Sequence, residues 1–426
     1  MCHNDDTIFT GGSIYLRAGQ RTPLNGKREG KMKFLHTADL HIGKSTCEHL
    51  MLDEQRHILA SILEAVRGEK PDALLIAGDV YDKSVPSAEA VAVLDDFLVR
   101  LSETGTKVFV LSGNHDSAER IAFGGRLMED RGVHMSPVYS GEFAPVTLQD
   151  EFGEVDVWML PFVRPATVRA CLGSDEERDQ VTDYTSAMRM AIAQMHFTPG
   201  RRNVLLAHQF VTGAERSDSE ENVGGLDNVD ASVFDGFDYV ALGHIHKPQN
   251  VAKDAAGNAR VRYSGTPLKY SLSEAGHKKS LTVVELAGKS AEGLAGIEVR
   301  EVPLTPKHDV REIKGTFAEL VLPEFQRRLL AEGLELDDFV YVKLTDENDV
   351  PDAVLKLRGI YPNLMMLDYD NERTRNQHVT VGDGKVEQKT PMELFGEFFS
   401  DMTKRELNEE ESEFVQDIID GIWEEK

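Results

Sequence analysis

Six short apolar runs, rich in β-branched residues, place the strongest constraint on how residues 32 to about 270 can fold. Longer stretches such as AEAVAVLDDFLVRLSE separate them, with apolar residues at helical spacing. This alternation of strands and amphipathic helices predicts an α/β layered core with an at least partly parallel sheet. The six runs are KFLH (33–36), ALLIAG (73–78), VFVLSG (108–113), VDVWMLPF (155–162), NVLLAHQF (203–210) and YVALGHIH (239–246).

The length of 426 residues exceeds what one hydrophobic core ordinarily serves, so we expect two or three domains. Residues 1–31 are rich in Gly, Arg, Asn and Thr and carry no secretory signal, which predicts a disordered N-terminal extension. The core domain is expected over 32–274. A small α+β capping domain is expected over 275–375, where FVYVKLT, PDAVLKLRGIYP and NLMMLDYD have the pattern of strand, helix and strand.

Residues 385–426 are predicted to form a pair of helices. The segment TPME at 390–393 has the pattern of a capping box with proline at the first helical position. Each helix carries an aromatic and aliphatic stripe, Leu394 to Met402 in the first and Phe414 to Trp423 in the second. Two interpretations stay open: the pair packs on the body of the protein, or it docks in a groove of a partner.

The formal net charge of −26 argues against a simple electrostatic nucleic-acid binder. A polyanionic substrate would have to be met by local positive charge, by metal ions or by a partner subunit. The three cysteines, Cys2, Cys47 and Cys171, are scattered and lack C-x-x-C spacing, so neither a disulfide framework nor a zinc–thiolate site is indicated. With no long apolar run, a cytoplasmic protein in a reducing compartment is expected.

Polar side chains stand at or just past the end of five of the apolar runs, at the point where each predicted strand ends. In layered α/β folds ligands bind at the carboxyl ends of the strands. In an extended segment residues i and i+2 point to the same side, so Asp39 with His41, and His244 with His246, could each chelate from one strand end. The five groups are Asp39-Leu40-His41, Gly78-Asp79 with Asp82, Gly113-Asn114-His115-Asp116, His208, and Gly243-His244-Ile245-His246.

These side chains indicate a centre for two divalent metal ions. Two carboxylates, four imidazoles and one amide, without thiolate, suit Mn²⁺, Fe²⁺ or Zn²⁺ better than Ca²⁺. Seven ligands exceed what one such ion accepts, and they leave open positions on each of two. Two close cations lower the pKa of a shared water and neutralise charge on phosphorus, which is the chemistry of phosphodiester hydrolysis. The seven candidate ligands are Asp39, His41, Asp79, Asn114, His208, His244 and His246.

The order DxH, GDxxD, GNHD, a single His and GHxH resembles the calcineurin-like metallophosphoesterase superfamily. Within it, the phrases HTADLHIG, AGDVYDKSVPS, LSGNHDS, ALGHIHKPQ and YSGTPLKYS are similar to the nuclease subunits of DNA double-strand-break repair complexes. The resemblance runs from Met32 to about Glu274. Beyond Glu274 the resemblance rests only on the order of the predicted parts, a small capping domain followed by a helix pair.

The resemblance implies a role for each candidate residue. Asp79 would bridge two ions, Mn²⁺ with Mg²⁺, Fe²⁺ and Zn²⁺ as alternatives. Asp39, His41 and His246 would hold one ion, and Asn114, His208 and His244 the other. His115 would face the phosphate as a proton donor or transition-state stabiliser, and Asp82 would orient it.

The function so implied is a Mn²⁺-dependent DNA nuclease that cuts single strands and hairpins. With an SMC-like ATPase partner, gripped by residues 385–426, it would act as a 3′-5′ exonuclease on double strands. A homodimer, a heterotetramer of two plus two, and a nucleoid-associated location are implied as well. The alternative is another phosphoesterase, a protein phosphatase or small-molecule phosphodiesterase, but GDVYDKS lacks the arginine of the phosphatase motif GDxVDRG. A non-enzymatic binding role is disfavoured because all seven ligand positions hold competent residues.

Overall fold

The computed structural model describes residues 30–371 except 48, 218–227, 255–256 and 290–292. Beyond 371 it describes 392, 395–396, 399–400, 405, 407–408, 411–412 and 414–415. The predicted extension over 1–31 and the predicted helix pair over 385–426 therefore lie almost entirely outside the described residues. Among the described helices, none is both long and apolar enough to cross a membrane.

The described strands and helices alternate along most of the chain. The strands are β1 Met32–Thr37, β2 Ser45–Thr46, β3 His49–Leu50, β4 Ala73–Ala77, β5 Lys107–Leu111, β6 Val133–Met135, β7 Val146–Asp150, β8 Gly153–Leu160, β9 Arg202–His208, β10 Tyr239–Gly243, β11 Gln249–Lys253, β12 Ala259–Tyr263, β13 Ser280–Lys289, β14 Ala295–Pro303, β15 Val310–Gly315, β16 Phe339–Leu344 and β17 Leu364–Tyr369. The helices are α1 Leu52–Glu69, α2 Ala88–Ser102, α3 Ala118–Ala122, α4 Gly125–Met128, α5 Pro165–Cys171, α6 Asp175–Asp179, α7 Tyr184–Ala193, α8 Phe317–Leu320, α9 Pro323–Ala331 and α10 Ala353–Arg358.

Two six-stranded sheets form the core of the first part of the chain. Their strand orders are β14-β13-β1-β4-β5-β6 and β11-β12-β10-β9-β8-β7. The strands β1, β4, β5 and β6 run parallel, as do β12, β10, β9 and β8, while β13, β14, β11 and β7 are antiparallel to their neighbours. The six predicted runs are β1, β4, β5, β8, β9 and β10. The predicted α/β layered core is confirmed.

Strand β9 shows why these runs are apolar throughout. Val204 and Leu206 pack into the layer between the two sheets, with Phe34 and Phe109 of the facing sheet. Leu205 and Ala207 point the other way, into a second layer that includes buried residues of α5 and α7. A strand buried on both faces needs apolar residues at every position. Each fully buried Val or Leu side chain contributes about 1.5–3 kcal/mol.

The chain divides into two compact units: Met1–Arg311 with Asp337–Phe339, and Glu312–Leu336 with Val340–Lys426. In the second unit β16 and β17 pair in parallel and α10 lies between them in sequence, which is the predicted succession of strand, helix and strand. Strands β13 and β14 belong to the first sheet, because β13 pairs with β1. The first unit therefore extends past the predicted boundary at residue 274. The assignment of functions to domains stays a prediction.

Candidate metal centre

The predicted site residues meet where the carboxyl ends of β1, β4, β5, β9 and β10 converge. His208 is the last residue of β9 and lies beside Gly243, the last residue of β10. Its Nδ1 donates a hydrogen bond to the carbonyl of Ala77, at the end of β4 in the other sheet (2.9 Å). Because a carbonyl can only accept, Nδ1 carries a proton, and Nε2 is the nitrogen that can bind a metal ion once it is deprotonated.

Asp79 lies between two groups of candidate ligands. Its Oδ2 is 3.3 Å from His208 Nε2 and 3.8 Å from His41 Nε2. Its Oδ1 accepts a hydrogen bond from the backbone nitrogen of His115 (2.9 Å). The side chain is buried. Asp79 therefore has the position that a bridging carboxylate needs.

The first group is Asp39, Asp79 and His208, whose ligand atoms lie within 4.8 Å of one another. Asp39 Oδ1 accepts a hydrogen bond from the backbone nitrogen of His244 (2.8 Å) and lies 3.7 Å from His208 Nδ1. Asp39 Oδ2 is buried and has no hydrogen-bond partner among the described residues. A buried carboxylate oxygen of this kind is unfavourable without a cation.

The second group is His41, Asp79 and His115, again with ligand atoms within 4.8 Å. His41 Nε2 also faces His246 Nε2 at 3.2 Å. Two imidazole nitrogens at this distance repel each other unless one carries a proton or both bind a cation. This arrangement brings His246 to the same place as His41.

Asn114 connects the remaining two candidates. Its Oδ1 lies 2.9 Å from His208 Nε2 and 3.0 Å from His244 Nδ1. All seven candidate ligands are thus brought together. The division of the ligands between two ions stays a prediction, because Asp39 lies close to His208 as well as to the loop of His41.

The backbone at the site differs from the extended geometry that the i, i+2 argument assumed. Positive φ angles occur at Asp39 (54°), His41 (45°), Asp79 (47°) and His244 (100°). Only three other non-glycine residues in the described part of the chain share this feature. Backbone hydrogen bonds from Asp39 to Gly78 and from His41 to Asp79 hold the first turn. Such conformations are sparsely populated and are maintained chiefly at functional sites.

The site glycines serve partly to make space. The φ angle of Gly113 is not positive, so no left-handed turn requires glycine there. A Cβ at Gly113 would overlap Asp79 Oδ1, and one at Gly243 would overlap the carbonyl of Ala77. These two positions require glycine because neighbouring site groups occupy the side-chain volume.

The electrostatics of the site favour bound positive charge. Burial raises the pKa of the Asp39 carboxyl to about 7. Burial lowers the pKa of His41 well below its usual value, so its imidazole is a neutral donor. At His208 burial acts in the same direction, but the Asp79 carboxylate outweighs it and raises the pKa of His208 to about 9. Buried carboxylates that draw a proton onto a neighbouring imidazole would also be stabilised by divalent cations. The oxygen and nitrogen donor set fits such ions.

His115 and Asp82 are in contact, through different atoms from those expected. His115 Nδ1 donates to the backbone carbonyl of Asp82 (2.9 Å). The Asp82 carboxylate instead accepts from Lys44 Nζ (2.8 Å) and lies 3.8 Å from His41 Nδ1. The carboxylate therefore does not orient His115, because Lys44 engages it.

Sequence reasoning assigned no role to several residues that hold the site loops. The Asp116 carboxylate accepts hydrogen bonds from the backbone nitrogens of Val80 (3.0 Å), Tyr81 (2.9 Å) and Gly113 (2.9 Å). It ties the loop after β5 to the loop after β4. The signal in the sequence that could have identified Asp116 is its position at the end of the motif Gly-Asn-His-Asp.

Two further residues bracket the loop after β1. Tyr270 donates from its hydroxyl to the carbonyl of Leu40 (2.6 Å). Gln55 donates to the carbonyl of His41 (2.6 Å) and to the Tyr270 hydroxyl (3.0 Å). No motif marks Gln55, which lies in α1, whereas Tyr270 belongs to the phrase YSGTPLKYS.

Comparison with known proteins gives the class. The calcineurin-like phosphoesterase family matches residues 32–248, and the chain belongs to this family. It is an enzyme of the metal-dependent phosphoesterase class. A second family, described as the type 5 capsule protein repressor C-terminal domain, matches residues 306–403.

Two relatives are similar over nearly their whole length. The SbcD component of the nuclease SbcCD from Staphylococcus epidermidis (strain ATCC 12228 / FDA PCI 1200) is 28% identical over 399 residues, 92% of this chain and 99% of that protein. The protein of the same name from Staphylococcus saprophyticus subsp. saprophyticus is 28% identical over 401 residues, 92% of this chain and 99% of that protein. Among solved structures, a dimetal phosphatase from Danio rerio is 12% identical with a TM-score of 0.37, covering 65% of this chain and 100% of that one.

Proposed function

We propose that this protein is a Mn²⁺-dependent DNA nuclease that hydrolyses phosphodiester bonds with two metal ions. The observation that carries the proposal is the position of Asp79, whose Oδ2 lies within 4 Å of both His208 Nε2 and His41 Nε2. DNA as the substrate is supported by the names of the two staphylococcal relatives, both components of a nuclease.

The proposed ligands form two sets that share Asp79. Asp39, His41 and His246 hold one ion, and Asn114, His208 and His244 hold the other. When bound, the two cations supply an activated water for attack on phosphorus and neutralise the charge that develops on the phosphate oxygens. The buried carboxylates and the fixed tautomer of His208 keep the donor atoms in place before any ion arrives.

His115 is proposed as the proton donor to the leaving oxygen. Its backbone nitrogen is fixed by Asp79 and its Nδ1 by the carbonyl of Asp82. These bonds leave Nε2 as the nitrogen that a substrate can approach, and the side chain is half-buried rather than closed off. A side chain held in this way can donate a proton without first being ordered. Asp82 helps to orient His115 through its backbone carbonyl, which accepts the hydrogen bond from Nδ1.

The proposal is tested with purified protein and Mn²⁺. Single-stranded and hairpin DNA should be cleaved, and His115→Gln should abolish cleavage while leaving about two Mn²⁺ per chain, as the seven-ligand argument requires. Hydrolysis of phosphopeptides or cyclic nucleotides, with no action on DNA, would instead favour a different phosphoesterase.

The partner is proposed to be an SMC-type ATPase like SbcC, with a heterotetramer of two plus two chains acting as a 3′-5′ exonuclease on double strands at the nucleoid. The support is the name SbcCD of the relatives and the match of residues 306–403 to a C-terminal family. Deleting residues 385–426 should remove association with the ATPase and spare Mn²⁺-dependent cleavage of single strands. Association retained after this deletion would contradict the proposed role of the tail.

A further inference from the structure

A buried ion pair lies directly behind His246, in the segment that follows β12. Glu274 and Lys279 are both buried, and Lys279 Nζ donates to Glu274 Oε2 (2.6 Å). The segment includes the phrase YSGTPLKYS, to which the proposed mechanism assigns no chemical role. Removing two charges from water is costly, so a buried pair is weak evidence for a role in stability alone.

Both members of the pair are within hydrogen-bond distance of His246, at different atoms. Glu274 Oε1 lies 3.2 Å from His246 Nδ1. Lys279 Nζ donates to the backbone carbonyl of His246 (2.9 Å) and to Thr266 Oγ1 (2.6 Å). With its bond to Glu274, the three protons of the ammonium group are all used. The imidazole and the backbone of His246 are therefore fixed by one network.

We propose that Glu274 is a positioning residue that fixes the tautomer of His246 for metal binding. A carboxylate paired with an ammonium group carries no proton, so the bond between Glu274 and His246 must be donated by Nδ1–H. The Nε2 atom then keeps its lone pair, and it is this atom that faces His41 Nε2 at 3.2 Å. A carboxylate behind a metal-binding imidazole orients the ring and raises its basicity. The inference rests on the proposed metal centre.

Glu274→Gln separates this role from a merely structural one. With Lys279 in place, the carbonyl oxygen of the glutamine amide faces the ammonium group and its NH₂ group faces His246. The NH₂ group can only donate, so it selects the tautomer with the proton on Nε2, which cannot bind a metal ion. We expect one of the two Mn²⁺ ions to bind about 10- to 100-fold more weakly.

Lys279→Met breaks the same ion pair and leaves the Glu274 carboxylate on His246. Its melting temperature without metal should fall about as far as that of Glu274→Gln. Its Mn²⁺ affinity should fall by less than that of Glu274→Gln, because the carboxylate still accepts from Nδ1–H of His246 and only the bond to the backbone carbonyl of His246 is lost. In the double variant the glutamine no longer faces an ammonium group and can turn its carbonyl oxygen to His246, so the affinity lost in Glu274→Gln should return.

The experiment is a Mn²⁺ titration of the full-length, metal-stripped protein followed by electron paramagnetic resonance, with melting temperatures measured in parallel. Asp150→Asn is the matched control, because it breaks another buried ion pair, with Arg202 at the first residue of β9. It should lower the melting temperature and leave the titration unchanged.

Several outcomes would overturn the inference. One is parental affinity in Glu274→Gln. Another is equal loss of affinity in the two single variants, and a third is no recovery in the double variant. If Glu274→Gln does not fold, Lys279→Met and the double variant carry the test: both should bind two Mn²⁺, and loss of one of the two ions in either variant contradicts the role. Failure of the unaltered protein to bind two Mn²⁺ would instead overturn the proposed metal centre.

Discussion

The two ends of strand β9 each bury charged side chains, and they differ in how those charges are compensated. At its first residue Arg202 donates to Asp150 and to the carbonyls of Gly153 (2.8 Å) and Leu286 (3.3 Å). At its last residue His208 meets two buried carboxylates, Asp39 and Asp79, and one oxygen of Asp39 has no hydrogen-bond partner among the described residues. The first end is complete within the protein. At the second end the described residues leave a buried carboxylate oxygen of Asp39 without a partner, which suits this end to bind a cation.

The largest effect is expected at the cation-binding end. Asp79→Asn keeps the shape of the side chain but removes the charge between the two ligand groups, so bridging is lost. Cleavage of single-stranded DNA should fall by about 10³-fold or more, equivalent to about 4 kcal/mol of transition-state stabilisation. Mn²⁺ content measured on the same sample should drop below two per chain. Full activity in this variant would show that Asp79 does not bridge.

A variant at the Arg202 end of β9 should lower the stability of the protein and leave its nuclease activity unchanged. Asp150→Asn leaves Arg202 as a buried charge without its carboxylate, which costs about 3–5 kcal/mol of unfolding free energy. Denaturant unfolding of the metal-free protein would measure this. The rate of cleavage per folded molecule should match that of the parent. A loss of Mn²⁺ binding in this variant would mean that the two ends are coupled.

Adding metal should stabilise the protein through the cation-binding end alone. Mn²⁺ at about 100 times its dissociation constant adds about 2.7 kcal/mol per site if the unfolded chain does not bind it. Thermal unfolding with and without Mn²⁺ measures the gain, and a chelator should reverse it. The gain should be the same in Asp150→Asn and much smaller in Asp79→Asn. Equal gains in all three proteins would place metal binding elsewhere.

The smallest effect is expected from the residues that bracket the site loops. Tyr270→Phe removes the hydrogen bond to the carbonyl of Leu40 and leaves the ring in place. The net cost should be about 0.5–1.5 kcal/mol of unfolding free energy. Mn²⁺ stoichiometry should stay at two. A complete loss of metal binding would mean that this hydroxyl does more than hold the loop.

The sequence predicted six of the strands in the two large sheets and the edge at which the site lies. It could do so because strands such as β9 are apolar on both faces and because parallel strands end at a common edge. It did not predict the place of β13 and β14, since the antiparallel pairing of β13 with β1 joins residues about 250 positions apart in sequence, and β14 in turn pairs with β13.

The local geometry of the site was also beyond the sequence. The positive φ angles of Asp39 and His41 depend on hydrogen bonds to the loop after β4, and no local pattern encodes such contacts. For the same reason the motif could not tell whether Asp82 would use its carboxylate or its carbonyl. Lys44, which settles that choice, lies outside the recognised motifs.

Anomalous scattering at the Mn edge, from crystals soaked in manganese, tests the two-metal centre most directly. The account predicts two peaks, one on each side of the Asp79 carboxylate, with His41 and His246 around one and His208 and Asn114 around the other. A single peak, or peaks remote from Asp79, would contradict it.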